Sequence, residues 1–387
     1  MKIMDNLIFS LFQIDIILFL DRFNLKEQLT NMTNSIINSI KKNGIRDFIR
    51  KLSKAFYAEK KEGFSLSVIK KMKCYREGFR TSSYFIYQFD KNDSKKYISD
   101  MTAKELRSAN NIDTRELLNN KVEFENAAKQ FVNVPKNIGI INMGKYESFD
   151  LDLTSLEQHL KKGNKFVLKP IDGKKGRGIV FLSQTKNGFL YNELLLSIQE
   201  LRVKISELNN YLVTELVSQA DYADRIFPGS TNTIRLLVMT DPNNNFNNFI
   251  SAAVHRFGSD ETVPVDNWSK GGLSANIDIK TGIMFEAVKH PKNTEGILSF
   301  VKKHPNTNEV ISGVKIPNWE NIKKTSLDLA DKLKVDYVGW DILVTNESFY
   351  FIEGNCNSDL DLLQVHSPLL TDNRVVNFIE YYTKKKQ

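Results

Sequence analysis

The sequence predicts an α+β protein in which antiparallel strands and helices form layers. From residue 165 onward, apolar strand-like runs are separated by short polar or glycine-rich turns, and helical segments fall between them at irregular intervals. A parallel sheet would instead require regular alternation of strands and helices. Before residue 131, apolar residues recur mainly at helical spacing. We therefore expect a mainly helical N-terminal region followed by mixed α+β layers.

Length and composition are those of an ordinary globular chain. With 387 residues and a mass of 44.5 kDa, the chain can hold two or three compact units. Its net charge of +8 and isoelectric point of about 9.1 fit a nucleotide, an anionic sugar, a membrane surface or a nucleic acid. The sequence contains neither paired Cys/His fingers nor a Lys/Arg-rich helix, so we expect no nucleic-acid partner.

Cysteine content and the apolar N-terminus favour a cytoplasmic protein. Cys74 and Cys356 are too few for a disulfide framework. The apolar stretch at 7–20 is shorter than a membrane span, contains Asp15, and lacks the basic region and cleavage site of a signal peptide. A buried or amphipathic helix is expected there. Contact of this segment with the inner face of a membrane stays open as an alternative.

The elements follow one another in a definite order. Helices are expected up to residue 75, at 101–111 and at 113–131, with one strand at 84–90 between them. The strands and helices expected after them are strands at 165–170 and 179–183, a long helix at 191–208, strands at 211–217, 230–241 and 248–258, a glycine-rich turn at 267–278, and a helix opened by Pro317.

Near the C-terminus, two apolar runs, VGWDILVT and FYFIEGN, predict a β-hairpin. Glu353 and Asn355 lie two apart, so they share a face of their strand. If the loop around 346–348 has an odd number of residues, Asp341 lies directly opposite Glu353. Three oxygen ligands on one face then form a Mg²⁺ site suited to phosphates. Taken singly, each residue is better explained as a solvated polar group at a strand end; it is their common spacing inside apolar strands that favours the metal site.

The glycine-rich segment 172–178 predicts a phosphate-binding loop. Gly173, Gly176 and Gly178 allow the backbone to close over an anion, and Lys174, Lys175 and Arg177 add positive charge. Strands flank the loop on both sides, so it is neither a Walker A loop nor a Rossmann turn. Lys169, at the end of the preceding apolar strand, is suited to contact an α-phosphate.

Four further candidate binding residues lie in apolar strands. Glu215 and Val217 lie in a short strand that can receive the adenine amine or the ribose hydroxyls, or that is simply an edge strand. Arg235 lies inside an apolar strand and needs an anion, either a carboxylate or a γ-phosphate. Arg256 is a second phosphate candidate, whereas its neighbour His255 is expected to be structural.

The segment 266–272 predicts a mobile loop that contains Lys270 before two glycines. Gly271 and Gly272 permit either close approach of the backbone or hinge motion. As a bare turn the segment would carry no function.

The order of these motifs resembles the ATP-grasp superfamily. More narrowly, FPGSTNTIRL, VDNWSKGG, DIKTG, VGWDI and EGNCNSDLDLLQ are similar to the sugar-transfer-associated ATP-grasp group, which is related to alpha-L-glutamate ligase-like proteins. The resemblance covers roughly residues 115–387. It implies two α+β subdomains that grip ATP between antiparallel sheets. The expected division is 1–112 for the N-terminal region, 113–212 for the first subdomain and 213–387 for the second.

The resemblance also implies a role for each motif. Lys121 and Lys169 correspond to the two nucleotide lysines, and the 173–178 loop to the phosphate lid. Glu215 and Val217 correspond to the adenine-contacting linker, and Asn232 is placed with the nucleotide contacts. The implied catalytic residues are Arg235, Arg256 and Lys270, and the implied Mg²⁺ ligands are Asp341, Glu353 and Asn355.

These roles lead to an expected function. The chain would be an ATP-dependent carboxylate–amine ligase that uses two Mg²⁺, with Mn²⁺ as a substitute, and forms an acyl phosphate. The expected setting is capsule or exopolysaccharide synthesis, for example amidation of a uronic acid. The alternatives are a kinase acting on a hydroxyl, a glutamate or peptide ligase, and a non-catalytic nucleotide-binding partner of glycosyltransferases docked through the N-terminal helices.

Overall fold

The computed structural model describes residues 66–149, 155–171 and 178–384. The chain divides into two units, Met1–Gly63 and Phe64–Gln387, and the described residues belong to the second. The helices predicted before residue 66 therefore lie outside the described residues. So do Gly173, Lys175, Gly176 and Arg177 of the predicted phosphate loop.

Helices surround two sheets in the described part of the chain. The α-helices are α1 (Val68–Arg76), α2 (Thr81–Ile86), α3 (Asp100–Leu106), α4 (Ile112–Asn119), α5 (Lys121–Ala128), α6 (Leu156–Lys161), α7 (Ile198–Ser206), α8 (Asp221–Ile226), α9 (Trp319–Leu333), α10 (Asp361–Gln364) and α11 (Asn373–Lys384). The strands of the first sheet are β1 (Asn137–Asn142), β2 (Lys145–Ser148), β3 (Phe166–Pro170), β4 (Val180–Thr185), β5 (Gly188–Tyr191), β6 (Leu194–Leu196) and β7 (Tyr211–Glu215). Those of the second are β8 (Ile234–Asp241), β9 (Asn247–Phe257), β10 (Leu273–Ile277), β11 (Met284–Lys289), β12 (Phe300–Val301), β13 (Tyr337–Val344) and β14 (Phe349–Asn355).

Both sheets have seven strands. The first has the order β2-β1-β7-β3-β4-β5-β6 and the second β12-β11-β10-β9-β8-β13-β14. Every pairing between these strands is antiparallel. The predicted α+β class is therefore confirmed.

The second sheet is covered on both faces. All eight residues of β8 and all eight of β13 are buried, because alternate side chains enter two separate cores. Leu236 and Trp340 pack with α9 on one face, whereas Leu237 and Tyr337 pack on the other face with α11 and the segment around α2. Residues 66–110 thus form part of this core.

Two predicted elements are wrong. The strand expected at 84–90 is α2 followed by turns, because Tyr84, Ile86 and Tyr87 are all buried in one cluster on the second sheet instead of alternating across a strand. The long helix expected at 191–208 is a hairpin followed by the shorter α7. A turn at Asn192, whose φ is +55°, joins β5 to β6, and a capping box between Ser197 and Glu200 starts the helix.

The two sheets meet through short connections. β7 ends at Glu215 and belongs to the first sheet, and Ala220 already donates its backbone N–H to Val344 of the second sheet at 2.8 Å. Phe124 and Ala128 of α5 pack in the core of the second sheet. Among the described residues, no helix combines the length and the apolar character that crossing a membrane requires.

Candidate active site

The β13–β14 hairpin brings Asp341 and Glu353 side by side, but by a different route from the one predicted. Thr345 and Ser348 pair through backbone and side-chain hydrogen bonds, which leaves an even, two-residue turn. An even turn alone would place Asp341 opposite Ile352. A β-bulge between Asp341 and Ile342 inserts one extra residue on β14, so Asp341 pairs with Glu353. The predicted pairing is confirmed, and the predicted odd loop is wrong.

Asp341 is buried between two arginines from neighbouring strands. Arg235, its cross-strand partner on β8, donates from Nε to Oδ1 at 2.5 Å and from Nη2 to Oδ2 at 3.1 Å. Arg256 on β9 donates from Nη2 to Oδ2 at 2.9 Å. Arg235 and Asp341 are only 5% and 4% exposed, so the ion pair is shielded from water. The anion that the buried Arg235 requires is thus a carboxylate.

The two hairpin carboxylates differ in how readily they ionise, and their pKa values shift in opposite directions. Burial would raise the pKa of Asp341, but the attraction of Arg235 and then Arg256 outweighs it and lowers the pKa to about 2. Burial raises the pKa of Glu353, and the negative charge of Asp341 raises it further, with Lys121 and Arg235 opposing. Asp341 is therefore ionised, and its charge is balanced by the two arginines. The ionised form of Glu353 would be stabilised by a further cation.

Asn355 completes the hairpin face. Its Nδ2 donates to Oε1 of Glu353 at 3.2 Å and to the carbonyl oxygen of Gly339 at 3.4 Å. Two carboxylates and one amide within reach of each other form an oxygen donor set of the kind Mg²⁺ prefers. The raised pKa of Glu353 fits this use. Within the described residues, this hairpin included, no three His, Cys, Asp or Glu side chains are gathered around a metal position, and the third donor here is the amide of Asn355.

Lys169 on β3 and Lys121 at the start of α5 approach this hairpin. Burial lowers the pKa of Lys169 to about 8, Glu353 opposes the shift by attraction, and Lys121 adds to it by repulsion. Lys121 is the first residue of α5 and donates from Nζ to the carbonyl oxygen of Ile171 at 3.1 Å. Both ammonium groups therefore lie close enough to Glu353 to affect its charge.

The end of the predicted phosphate loop is described at Gly178. Its φ of +73° is left-handed, and a Cβ there would lie 2.7 Å from Oη of Tyr211. Gly178 is therefore required for its left-handed conformation, and it lies next to the Tyr211 side chain of β7.

Glu215 and Val217 lie where the chain leaves the first sheet. The backbone N–H of Glu215 donates to Lys136 at 2.9 Å and that of Leu216 donates to Lys165 at 2.8 Å, which fixes the end of β7. The side chain of Glu215 is exposed and that of Val217 is half-buried. An exposed carboxylate on a fixed backbone between two sheets is available to hydrogen-bond a ligand.

Asn232 is not brought into the cluster of charged residues. Its side-chain nitrogen donates to Gln219 at 3.0 Å and to the carbonyl oxygens of Ala223 at 3.2 Å and Phe227 at 2.7 Å. Its side-chain oxygen accepts from Gly258 N at 3.0 Å and from Ser230. The amide is fully used in holding the chain before β8, and its contact to the nucleotide stays a prediction.

His255 is structural, as predicted. Its Nδ1 faces the carbonyl oxygen of Arg256 at 3.1 Å and its Nε2 faces Oη of Tyr222 at 2.9 Å. Burial lowers the pKa of His255 to about 3, so the ring stays neutral.

The loop at 266–272 is anchored, and it supplies a site residue that the sequence did not reveal. Asp266 lies 3.3 Å from Nε of Arg256 and accepts from the backbone and hydroxyl of Thr233 at 2.9 and 2.6 Å. Trp268 is buried and donates to Val288 at 2.9 Å. Lys270 is exposed at the end of the loop. Hydrogen bonds and an ion pair hold this part of the loop in the structure, and Asp266 joins the arginine cluster; motion of the loop stays a prediction.

Two antiparallel sheets, with Lys169 on the first, Lys121 at the start of α5, and carboxylates and arginines on the second, define an ATP-grasp fold. The chain belongs to the sugar-transfer-associated ATP-grasp family, whose model matches residues 101–377. No curated protein matches the chain.

Solved structures show distant similarity. D-alanine–D-alanine ligase from Bacillus anthracis has 13% identity, a TM-score of 0.40, and coverage of 73% of this chain and 76% of its own. The ATP-grasp ligase PsnB, solved with a precursor variant, Mg and ADP, has 9% identity, a TM-score of 0.35 and coverage of 69% and 61%. L-amino acid ligase from Bacillus licheniformis has 11% identity, a TM-score of 0.34 and coverage of 63% and 41%. The chain thus spans less than two thirds of the length of the latter two, and the family assignment rests on the sequence match.

Proposed function

We propose that this protein is an ATP- and Mg²⁺-dependent carboxylate–amine ligase that works through an acyl phosphate. The observation that carries the proposal is the convergence of Lys169 from the first sheet and Lys121 from the start of α5 on Glu353, which is paired with Asp341 on the second sheet. These cations, together with the carboxylates and arginines of the second sheet, are the groups that position and neutralise a polyphosphate. The family match is consistent with this use of the site.

Each group has a distinct task in the proposal. Lys121 and Lys169 bind nucleotide phosphates, and Glu215 with Val217 receives the nucleoside at the linker. Mg²⁺ held by Asp341, Glu353 and Asn355 would neutralise charge on the β- and γ-phosphates. Arg256 and Arg235, the ion-pair partners of Asp341, would stabilise the transferred phosphoryl group and then the oxyanion of the tetrahedral intermediate.

The electrostatics favour a carboxylate over a hydroxyl as the phosphoryl acceptor. A carboxylate is already ionised at neutral pH and needs no base, whereas a hydroxyl is activated by a general base. Asp341, with a pKa of about 2, is a weak base. His255 is neutral and engaged on both ring nitrogens. These properties support a ligase over a kinase.

The family description supports a proposal for the two substrates. We propose that the carboxylate belongs to a sugar acid or a sugar-linked compound in surface-polysaccharide synthesis, and that the acceptor is an amine or amino acid. Sugar transfer appears in the description of the matched family and supports this choice.

The test is ADP and phosphate release from ATP and Mg²⁺ with a panel of uronic acids and amino acids, followed by mass spectrometry of the product. We expect release that requires both a carboxylate and an amine, and hydroxylamine should trap the acyl phosphate as a hydroxamate. ADP release with an alcohol alone, giving a stable phosphate ester, would replace the ligase by a kinase. Nucleotide binding without turnover on any pair would support the non-catalytic alternative.

A further inference from the structure

The segment from α2 to Asn110, to which the sequence assigned no function, contacts both the start of β13 and the helix α10 that follows β14. At the start of β13, Asn110 is buried and donates from Nδ2 to the carbonyl oxygen of Tyr337 at 2.6 Å. Its Oδ1 accepts from the backbone N–H groups of Asp336 at 2.9 Å and Tyr337 at 3.1 Å. The side chain of Asn110 therefore holds the beginning of β13, the strand that carries Asp341.

The same segment holds α10, which follows the other strand of the hairpin. The side chain of Gln364 accepts from the backbone N–H of Ile98 at 2.7 Å and donates to its carbonyl oxygen at 3.1 Å. Tyr87 donates from Oη to Oδ1 of Asp361 at 2.8 Å. Because Gln364 and Tyr87 are buried, these hydrogen bonds are shielded from water.

Arg80 adds an ion pair to this contact. It donates from Nη2 to Oδ2 of Asp361 at 2.7 Å, and its Nε forms an ion pair with Oδ1 of Asp100 at 2.5 Å. Asp100 also accepts from the backbone N–H of Arg80 at 2.8 Å and from Ser83 at 2.7 Å. The guanidinium is thus oriented by Asp100 before it meets Asp361.

Asp361 is connected to the site over a short stretch of chain. Three residues before it, Ser358 is buried, and its Oγ accepts from Nη1 of Arg235 at 3.4 Å. A Cβ on Gly339 would overlap this hydroxyl, so the serine packs tightly against β13. A displacement of α10 would therefore be transmitted through Ser358 to Arg235, the arginine that pairs with Asp341.

We propose that Arg80 is a positioning residue for the reaction: through Asp361 it holds the chain from Asn355 to Asp361, and with it Ser358 and Arg235, in the geometry that phosphoryl transfer requires. The proposal rests on the proposed function for what is positioned. It assigns a role to Arg80, which lies outside the residues 101–377 that the family model matches.

The charges around Asp361 make this contact sensitive to pH. The groups that face it are Arg80 and Tyr87 from α2 and its ends, Asp100 from α3, and Asp359 from its own segment. Burial and then the repulsion of Asp359 raise the pKa of Asp361 to about 7, with Arg80 opposing. Since protonation of Asp361 weakens its pairing with Arg80, we expect turnover to fall as the pH decreases from about 8 to about 6.

The test compares Arg80→Gln, Arg80→Lys and Asp361→Asn with a matched control, Arg76→Gln, which removes an exposed arginine from α1 in the same segment. We expect Arg80→Gln to lower kcat about 10- to 100-fold with the nucleotide KM little changed, because the arginine geometry and not the nucleotide pocket is disturbed. Arg80→Lys should restore part of this loss. In Asp361→Asn the decrease in kcat below pH 8 should disappear.

A second measurement is independent of activity. In Arg80→Gln, hydrogen exchange should accelerate at the backbone amides of 336–344 and 355–366 and stay unchanged in the first sheet. If the wild-type protein neither binds nor turns over ATP, the proposed function fails. The exchange pattern still decides whether the contact between Arg80 and Asp361 holds the hairpin and α10 in place. Unchanged exchange there, or equal kcat in Arg80→Gln and Arg76→Gln, would overturn the positioning role. If Arg80→Gln changed the nucleotide KM by the same factor as kcat, the positioning role would also be overturned.

Discussion

The guanidinium of Arg256 lies between two carboxylates, 2.9 Å from Asp341 on β13 and 3.3 Å from Asp266 in the loop before β10. With Arg235 on the other side of Asp341, two positive and two negative charges are collected away from water. Removing one member of such a buried group leaves an uncompensated charge. The two arginines are consequently held in place by the same carboxylate that is a candidate metal ligand, which couples stability to function in this site.

The first prediction concerns Asp341→Asn. We expect this substitution to abolish turnover and also to lower the free energy of unfolding at pH 7 by about 2–4 kcal/mol, because Arg235 and Arg256 lose their shared anion. The pKa of Asp341 is lowered in the folded protein from 3.8 to about 2, so its charge contributes stability above pH 3.8 that is lost as the pH falls toward 2. Urea unfolding between neutral pH and the lowest pH at which the protein stays folded checks both points.

A matched control for this variant is Asp328→Asn, which removes an exposed carboxylate paired with Lys324 on α9. It should change stability by less than about 0.5 kcal/mol. The difference in the free energy of unfolding between wild type and Asp341→Asn should become smaller below about pH 4. If it did not, the ionised Asp341 with its arginines would not be the source of the stability.

The second prediction separates Glu353 from Asp341. The raised pKa of Glu353 means that its charge costs stability in the folded protein as the pH rises through that pKa. Glu353→Gln should therefore be as stable as wild type or more stable at pH 7 without ligands. In thermal unfolding with ADP and Mg²⁺, the wild type should gain about 2–3 kcal/mol at saturating ligand, and the variant should lose the Mg²⁺-dependent part.

Glu347→Gln, at the exposed turn of the same hairpin, is the control and should keep the full ligand effect. A Glu353→Gln protein that is still stabilised by Mg²⁺ and ADP to the wild-type extent would remove Glu353 from the metal site.

The third prediction is a pH dependence of nucleotide affinity. Burial lowers the pKa of Lys169 to about 8, so the ammonium is largely protonated at pH 7 and loses its proton above pH 8. A bound phosphate favours the charged form, so the affinity for ADP should fall by up to about tenfold per pH unit above that value. Titration calorimetry between about pH 6.5 and pH 9.5 measures this decrease.

Lys169→Gln should bind ADP more weakly and without this pH dependence. Lys165→Gln, an exposed lysine just before the same strand, should behave like wild type. An identical decrease in affinity above pH 8 in both variants would assign the titration to another group.

The site was predictable from sequence where its residues lie on regular strands. Glu353 and Asn355 share a face because strand side chains alternate, and their partner Asp341 lies on the preceding strand of one hairpin. The bulge on β14 was not predictable, since Ile352 is an ordinary apolar strand residue and only the pairing with β13 shows that it is the extra one.

The remaining differences arise from contacts between distant parts of the chain. The aromatic run at 84–90 has strand-like composition, but its burial is set by packing against Leu237 and Tyr337 on the second sheet, which overrides local preference. Asp266 could be found only through Arg256, since a buried arginine implies a carboxylate without identifying which one. The position of Asn232 is likewise set by distant residues, since its six hydrogen bonds join it to five residues spread from Gln219 to Gly258.

The last prediction distinguishes structure from catalysis in the 266–272 loop. A Cβ on Gly272 would lie 2.8 Å from the carbonyl oxygen of Phe257 and 3.1 Å from that of Asn267. Since both are backbone atoms, Gly272→Ala should lower stability by about 1–3 kcal/mol and shift Asp266 relative to Arg256. Lys270→Ala removes an exposed side chain and should change stability by less than about 0.5 kcal/mol. If Lys270 acts on the substrate, this variant should still lose turnover, and steady-state kinetics on a protein with unchanged thermal unfolding will show it. Full activity in Lys270→Ala would remove Lys270 from the catalytic set and leave the loop with the single task of holding Asp266 against Arg256.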